Sequence, residues 1–161
     1  MKSDVTPISD EELRRVIKTY SNTLFKKCLL LLCHQADAED ALQTTFIKYL
    51  CNAPNFQNIE HEKAWLIRVT INVCNDILRL RKKTSHINVE EICDYSIENS
   101  ASDILCSVMN LPTKYKMVTL LFYVDGYKTF EIAKILKISP TTVRKRLQYA
   151  RKLLKLEYGK E

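Results

Sequence analysis

Glycine is nearly absent: the 161-residue chain has two, Gly126 and Gly159. That scarcity argues against a fold of tight β-hairpins and against the glycine-rich loops that cradle nucleotide phosphates. A long hydrophobic run is missing as well. The most apolar stretch, CLLLLC at 28–33, is bracketed by Lys27 and His34 and is far too short to span a bilayer. No secretory signal pattern opens the sequence, so a cytoplasmic protein without membrane insertion is expected. The six cysteines, at 28, 33, 51, 74, 93 and 106, form no C-x-x-C pair, and no histidine stands at zinc-finger spacing from them. They read as reduced, mostly buried small hydrophobes. Neither a metal nor a cofactor is expected, and no residue set suggests catalysis. Positive charge is lacking in one place: between Thr84 and Cys106 there is no Lys or Arg, against the five acids Glu90, Glu91, Asp94, Glu98 and Asp103.

Elsewhere positive charge is plentiful. The chain carries 25 Lys+Arg against 19 Asp+Glu, a net charge of +6, and 46% of its residues are hydrophobic, enough to bury a core in one domain or two small ones. The acidic gap, rich in Ser and Asn and weak in apolar periodicity, reads as a linker over 85–106. Its acidity would keep it off any polyanion that the basic modules bind, although a solvated tether needs no such purpose. It separates two basic helical modules, 1–84 and 107–161, in an all-α chain of two small helical domains.

The first module reads as three or four helices. Ser9 with Glu12 three residues on makes a capping box, and Leu13, Val16, Ile17, Tyr20 and Leu24 follow at helical spacing. After a break near 34–36, Asp37 and Asp40 open a second helix, continued by Ala38, Leu42, Phe46, Tyr49 and Leu50. Acids in a first turn suit the helix dipole, which alone would justify the run DAED. Pro54 ends that helix. In AWLIRVTINVCNDILRLRKK, 64–83, Leu66, Val69, Val73, Ile77 and Leu80 trace an inward stripe, and Arg68, Asn72, Asn75 and Arg79 a polar one. Trp65 reads as a core anchor. The closing RLRKK suits either the dipole at a helix C-terminus or a DNA backbone.

In the second module TFEIAKILKI, 129–138, is a short amphipathic helix with Ile132, Ala133 and Leu136 inward. A tight turn leads to Ser139 as N-cap and Pro140 at the first helical position. Val143, Leu147, Ala150 and Leu154 then form an inward stripe, and Arg144, Gln148, Arg151 and Lys155 an outward one, flanked by Thr141, Lys145 and Lys152. A solvated surface helix could carry those charges, but a short helix, a turn and a basic helix together make a helix-turn-helix. Its second helix enters the DNA major groove. Arg and Lys there would neutralise phosphates or reach guanine, and Gln148 could address adenine.

The pattern as a whole resembles the sigma factors of bacterial RNA polymerase, specifically the small two-domain extracytoplasmic-function (ECF) group of the sigma-70 family. DAEDALQTTF, 37–46, is similar to that family's D-A-E-D-L-V-Q-E-T-F, and AWLIRVTINVCNDILR to its A-W-L-x-x-I-x-x-N-x-x-x-D-x-x-R. The run from Leu111 to Lys155 is similar to L-P-x-x-x-R-x-V, then G-x-S-x-x-E-I-A-x-x-L-x-I-S-x-x-T-V-K-S-R-L-x-R-A-R. Three positions depart from the pattern: Thr44 stands for a frequent Glu, Lys116 for Arg, and Lys128 for a Ser cap, so that Thr129 is expected to cap one residue later.

The resemblance implies a specificity subunit, not an enzyme, that binds core RNA polymerase and directs promoter recognition and melting. Asp37, Asp40, Gln43 and Phe46 would dock on the polymerase clamp helices. Phe56, Asn58, Lys63, Arg68, Asn72 and Arg79 would face the minus-10 element and hold an extruded base of the non-template strand. Thr141, Thr142, Arg144, Lys145, Arg146, Gln148, Arg151 and Lys152 would read the minus-35 element. An anti-sigma factor is a further implied partner. Two other classes stay open on the residues alone: a stand-alone helix-turn-helix regulator, against which the first module speaks, and an enzyme, whose best feature is the ordinary pair Cys33 and His34.

Overall fold

A computed structural model of the chain describes residues 7–84 and 102–158. Among these residues every regular element is a helix, and the chain divides into two compact units, Met1–Ile92 and Cys93–Glu161. The acidic stretch at 85–101 lies outside the described residues; from Ser102 onward the chain is helical.

The first unit consists of α1 (Asp10–Leu32), α2 (Gln35–Asn52) and α3 (Ile59–Thr84), each packed on the other two. Ser9 caps α1, its Oγ accepting from the Glu12 N–H at 3.2 Å, with Asp10, Glu11 and Glu12 in the dipole-favoured first turn. The helix ends where Cys33 turns left-handed (φ 51°, ψ 32°) and sends its N–H back to the Leu29 carbonyl at 2.8 Å. A side chain in that region costs about 1 kcal/mol, here accepted to reverse the chain within two residues. His34 then caps α2: its Nδ1 accepts the Asp37 N–H at 3.3 Å. The break expected over 34–36 is therefore only Cys33 and His34, and α2 starts at Gln35, two residues before Asp37.

Where α1 packs on α2, small and β-branched residues are fully buried: Ala38, Ala41 and Thr45 on α2, with Val16 and Cys28 on α1. The inward stripe expected on α3 needs correction. Leu66 and Val73 are buried, but Val69 and Ile77 are only half-buried and Leu80 is 63% exposed. The core face is instead Leu66, Ile67, Thr70, Ile71, Val73 and Cys74. Thr70 reads as polar in a pattern, yet its hydroxyl donates to the Leu66 carbonyl at 2.8 Å, and Thr45 does the same to Ala41; with the hydroxyl satisfied inside its own helix, each packs as an apolar residue. Ile17 and Leu50, also expected inward, are 38% and 44% exposed, and Trp65 is half-buried, not enclosed. Cys28 and Cys74 are buried but Cys51 and Cys106 are exposed, so burial is not general among the cysteines. Cys93 lies outside the described residues.

The second unit consists of α4 (Ser102–Met109), α5 (Thr113–Thr119) running into a π-helical turn (Leu120–Val124), α6 (Thr129–Leu136) and α7 (Pro140–Tyr158). Both α5 and α6 pack on α7, over a core of Met117, Val118, Leu121, Ile132, Ile135, Val143, Leu147 and Ala150. Gly126 supplies the positive φ, 74°, by which the chain leaves the π-helical turn. Thr129 does not cap α6 as expected: it is the first helical residue and Lys128 is the N-cap, without a side-chain cap bond. Part of the missing cap is replaced by Glu131, whose Oε2 accepts the Lys128 N–H at 2.7 Å.

Candidate nucleic-acid interface

The turn before α7 is built by one residue at each end. Lys137 adopts the left-handed conformation (φ 54°, ψ 46°) with its N–H on the Ala133 carbonyl, and Ser139 Oγ accepts the Thr142 N–H at 3.1 Å, with Pro140 opening the helix. That geometry sets which face of α7 is covered. Val143, Leu147 and Ala150 are buried; Thr141, Arg144, Lys145, Gln148, Arg151 and Lys152 are exposed; Thr142 and Arg146 are half-buried. Arg144 is braced by Thr141, its Nη2 donating to Oγ1 at 3.3 Å. Thr142 is turned to Ser139, their hydroxyl oxygens 2.8 Å apart. Arg151 crosses to the π-helical turn, where its Nε donates to the Tyr123 hydroxyl at 2.6 Å.

In the first unit the six residues expected to face DNA fall into separate places. Phe56 stands between rings: parallel to Tyr49 at 6.0 Å between centroids, and edge-on to His61 at 5.4 Å and Trp65 at 5.8 Å. Asn58 opens α3, its Oδ1 accepting the His61 N–H at 2.8 Å. Phe56 and Asn58 line an open cleft of about 530 Å³ together with Pro7, Ile8, Glu12, Arg15, Tyr49 and Glu62, among others. Lys63, Arg68, Asn72 and Arg79 lie outside it along α3. Asn72 and Arg79 are exposed, Arg79 within 3.4 Å of Asp76, and Lys63 and Arg68 are half-buried.

The floor of that cleft is a buried network invisible to spacing arguments. Glu62 is 4% exposed and accepts four hydrogen bonds: from Arg15 Nη2 at 2.8 Å and Nη1 at 3.2 Å, from the Tyr49 hydroxyl at 2.8 Å and from the Tyr20 hydroxyl at 3.2 Å. Burial alone would push the carboxyl up, but the bonds from Arg15 and Tyr49 outweigh it and hold it below its usual range. The same burial, with the bond to Glu62, raises the Tyr49 and Tyr20 hydroxyls. These partners lie 47, 13 and 42 residues from Glu62, so the first-turn acid before Trp65 is the only trace of the network in the sequence.

On α2, Asp40 and Gln43 are exposed, Phe46 is half-buried, and Asp37 is tied to α3. Arg81 Nε donates to Asp37 Oδ2 at 2.9 Å and its Nη1 to the Leu32 carbonyl at 2.7 Å, so one cation of RLRKK joins the three helix ends. Ile47 and Leu50, 59% and 44% exposed, continue the line of Asp40 and Gln43 at spacings of four and three. The sequence pattern missed them; two large apolar residues in register with exposed polar ones are the signal for a docking face.

The description "Sigma-70 region 2" matches residues 16–84, and "Sigma-70, region 4" matches 101–154. RNA polymerase sigma factor SigZ of Bacillus subtilis (strain 168) is 30% identical over 128 residues, covering 75% of this chain and 72% of that one. The chain belongs to the sigma-70 family. Within the family it sits with the extracytoplasmic-function group: ECF RNA polymerase sigma factor SigW of the same organism is 26% identical over 160 residues, 87% of this chain and 85% of that protein. A solved structure of the sigma factor RpoE with the anti-sigma factor NepR from Bartonella quintana shares the fold, with a TM-score of 0.73 and 18% identity over 94% of this chain and 99% of that one. The sigma factor is thus a promoter-recognition subunit that directs RNA polymerase in transcription initiation, and core polymerase and promoter DNA are its partners. No helix among the described residues is long and apolar enough to cross a membrane.

Proposed function

We propose that this sigma factor divides promoter reading between its units. The second unit lays α7 in the major groove of the minus-35 element through Arg144, Lys145, Gln148, Arg151 and Lys152, with Thr141, Thr142 and Arg146 at the margins of the contact. The first unit meets the minus-10 element with α3 and with the cleft beside Phe56. The observation that carries this reading is the exposed stripe of α7, in which Arg144, Lys145, Arg151 and Lys152 surround the amide of Gln148, on a helix whose start is set by Ser139 and Pro140. In the first unit, a cleft lined by the stacked rings of Tyr49 and Phe56 suits an unstacked base, and Arg68, Asn72 and Arg79 supply polar contacts to the strand from which it comes.

Asp40, Gln43 and Phe46, with Ile47 and Leu50, form the polymerase-facing side, while Asp37 holds α2 against Arg81. An anti-sigma partner that covers both DNA faces fits the same surfaces; the RpoE relative is seen bound to one, NepR. The sigma factor carries no catalytic residues of its own and works in the cytoplasm. Run-off transcription with core polymerase tests the reading: Arg144→Ala should lose the upstream contact and Asn72→Ala the opening of the duplex. If the chain neither binds core polymerase nor changes where transcripts start, the reading is wrong.

A further inference from the structure

We propose that Tyr123 and Arg151 form a two-part clamp for one DNA backbone phosphate, adding the π-helical turn to the surface that meets the upstream duplex. The inference rests on the reading that α7 lies on DNA. Arg151 belongs to the outward stripe of α7, one turn beyond Gln148, and it is bonded to another element. Its Nε donates to the Tyr123 hydroxyl at 2.6 Å, and its guanidinium carbon lies 5.8 Å from the Tyr123 ring centroid and 5.9 Å from that of Phe122. Both aromatics stand on the turn Leu120–Val124, where the wider i to i+5 bonding, Asp125 N–H to the Leu120 carbonyl at 3.1 Å, accommodates an extra residue. Tyr123, on this turn, is 56% exposed.

The donor count points to a phosphate. Binding through Nε uses one of five guanidinium donors and leaves both Nη groups, with four N–H, for an anion. The Tyr123 oxygen accepts from Arg151 and keeps its own proton to donate. An exposed arginine otherwise loses rotamer freedom on binding; held by a hydroxyl and two rings, Arg151 has given up much of it beforehand. Arg151 lies in the fourth turn of α7, beyond the N-terminal residues by which such a helix contacts base edges, so the clamp sets register and not sequence.

The test uses the full chain loaded on core polymerase and a duplex that this holoenzyme selects from random-sequence DNA. Arg151→Ala should weaken binding and lower the log–log salt slope by about 0.9. Tyr123→Phe keeps the ring and the charge, so the slope should stay while affinity falls about 5-fold, the scale of one hydrogen bond. The double variant should lose less than the product of the two single losses, because the hydroxyl both holds that arginine and donates beside it. Methylphosphonate scanning should find one phosphate whose neutralisation weakens the parent and not the double variant. Wild-type affinity in Tyr123→Phe, or losses that multiply in the double variant, would overturn the clamp. Arg144→Ala separates the levels: loss there with Tyr123→Phe and Arg151→Ala intact sinks the clamp alone, whereas indifference of all three sinks the minus-35 reading with it.

Discussion

Replacing Glu62 with alanine would strip one acceptor from beneath two tyrosine hydroxyls and an arginine. The Arg15 side chain is 48% exposed, so water screens the ion pair, and the cost comes mainly from the tyrosine hydroxyls left without their acceptor, about 2 kcal/mol; Trp65, the only tryptophan, stands in the same aromatic cluster and reports the first unit alone. Urea unfolding followed by tryptophan fluorescence should therefore show an earlier transition in Glu62→Ala. Because the folded carboxyl titrates below the unfolded one, its contribution is complete above the unfolded pKa of about 4.3 and is lost as pH falls through the folded value. Acid should destabilise the first unit, and Glu62→Gln should flatten that acid limb in a fluorescence-monitored pH series. At this scale the sequence says little: Glu62 looks like any first-turn acid, and its partners come from two other helices.

Single helices differ in how well their ends are made. Ser139 accepts the Thr142 N–H, whereas Lys128 offers α6 no side-chain acceptor. Ser139→Ala should cost about 1 kcal/mol and Lys128→Ser should restore about as much, both read by thermal melting of the second unit's helical signal. The caps at Ser9 and Ser139 and the inward stripe Val143, Leu147, Ala150 were legible because they depend on neighbours three or four residues away. The face of α3 was not. Thr70 and Cys74 turn inward and Leu80 outward, since what is buried depends on where α1 and α2 press, and a self-bonded threonine is not polar to its surroundings. Leu80→Ser should accordingly change stability by under about 0.5 kcal/mol.

For the whole molecule, affinity comes from joining surfaces that are each weak. The free chain should bind DNA poorly and with steep salt dependence, because few phosphates are neutralised, and core polymerase should raise affinity by holding both contacts at once. An Ile47→Asp, Leu50→Asp variant should fold normally, both positions being exposed, and fail to co-purify with core polymerase while keeping the weak DNA binding of the free chain. Helical class, a basic helix behind a short one and the family's motif order followed from the sequence by itself, because they rest on local periodicity, capping and composition. Tertiary structure alone decided that Glu62 floors a cleft, that Arg81 ties helix ends together and that Arg151 leans on Tyr123. These are contacts between residues 13 to 49 positions apart, and only the packing of helices brings such groups within hydrogen-bond reach.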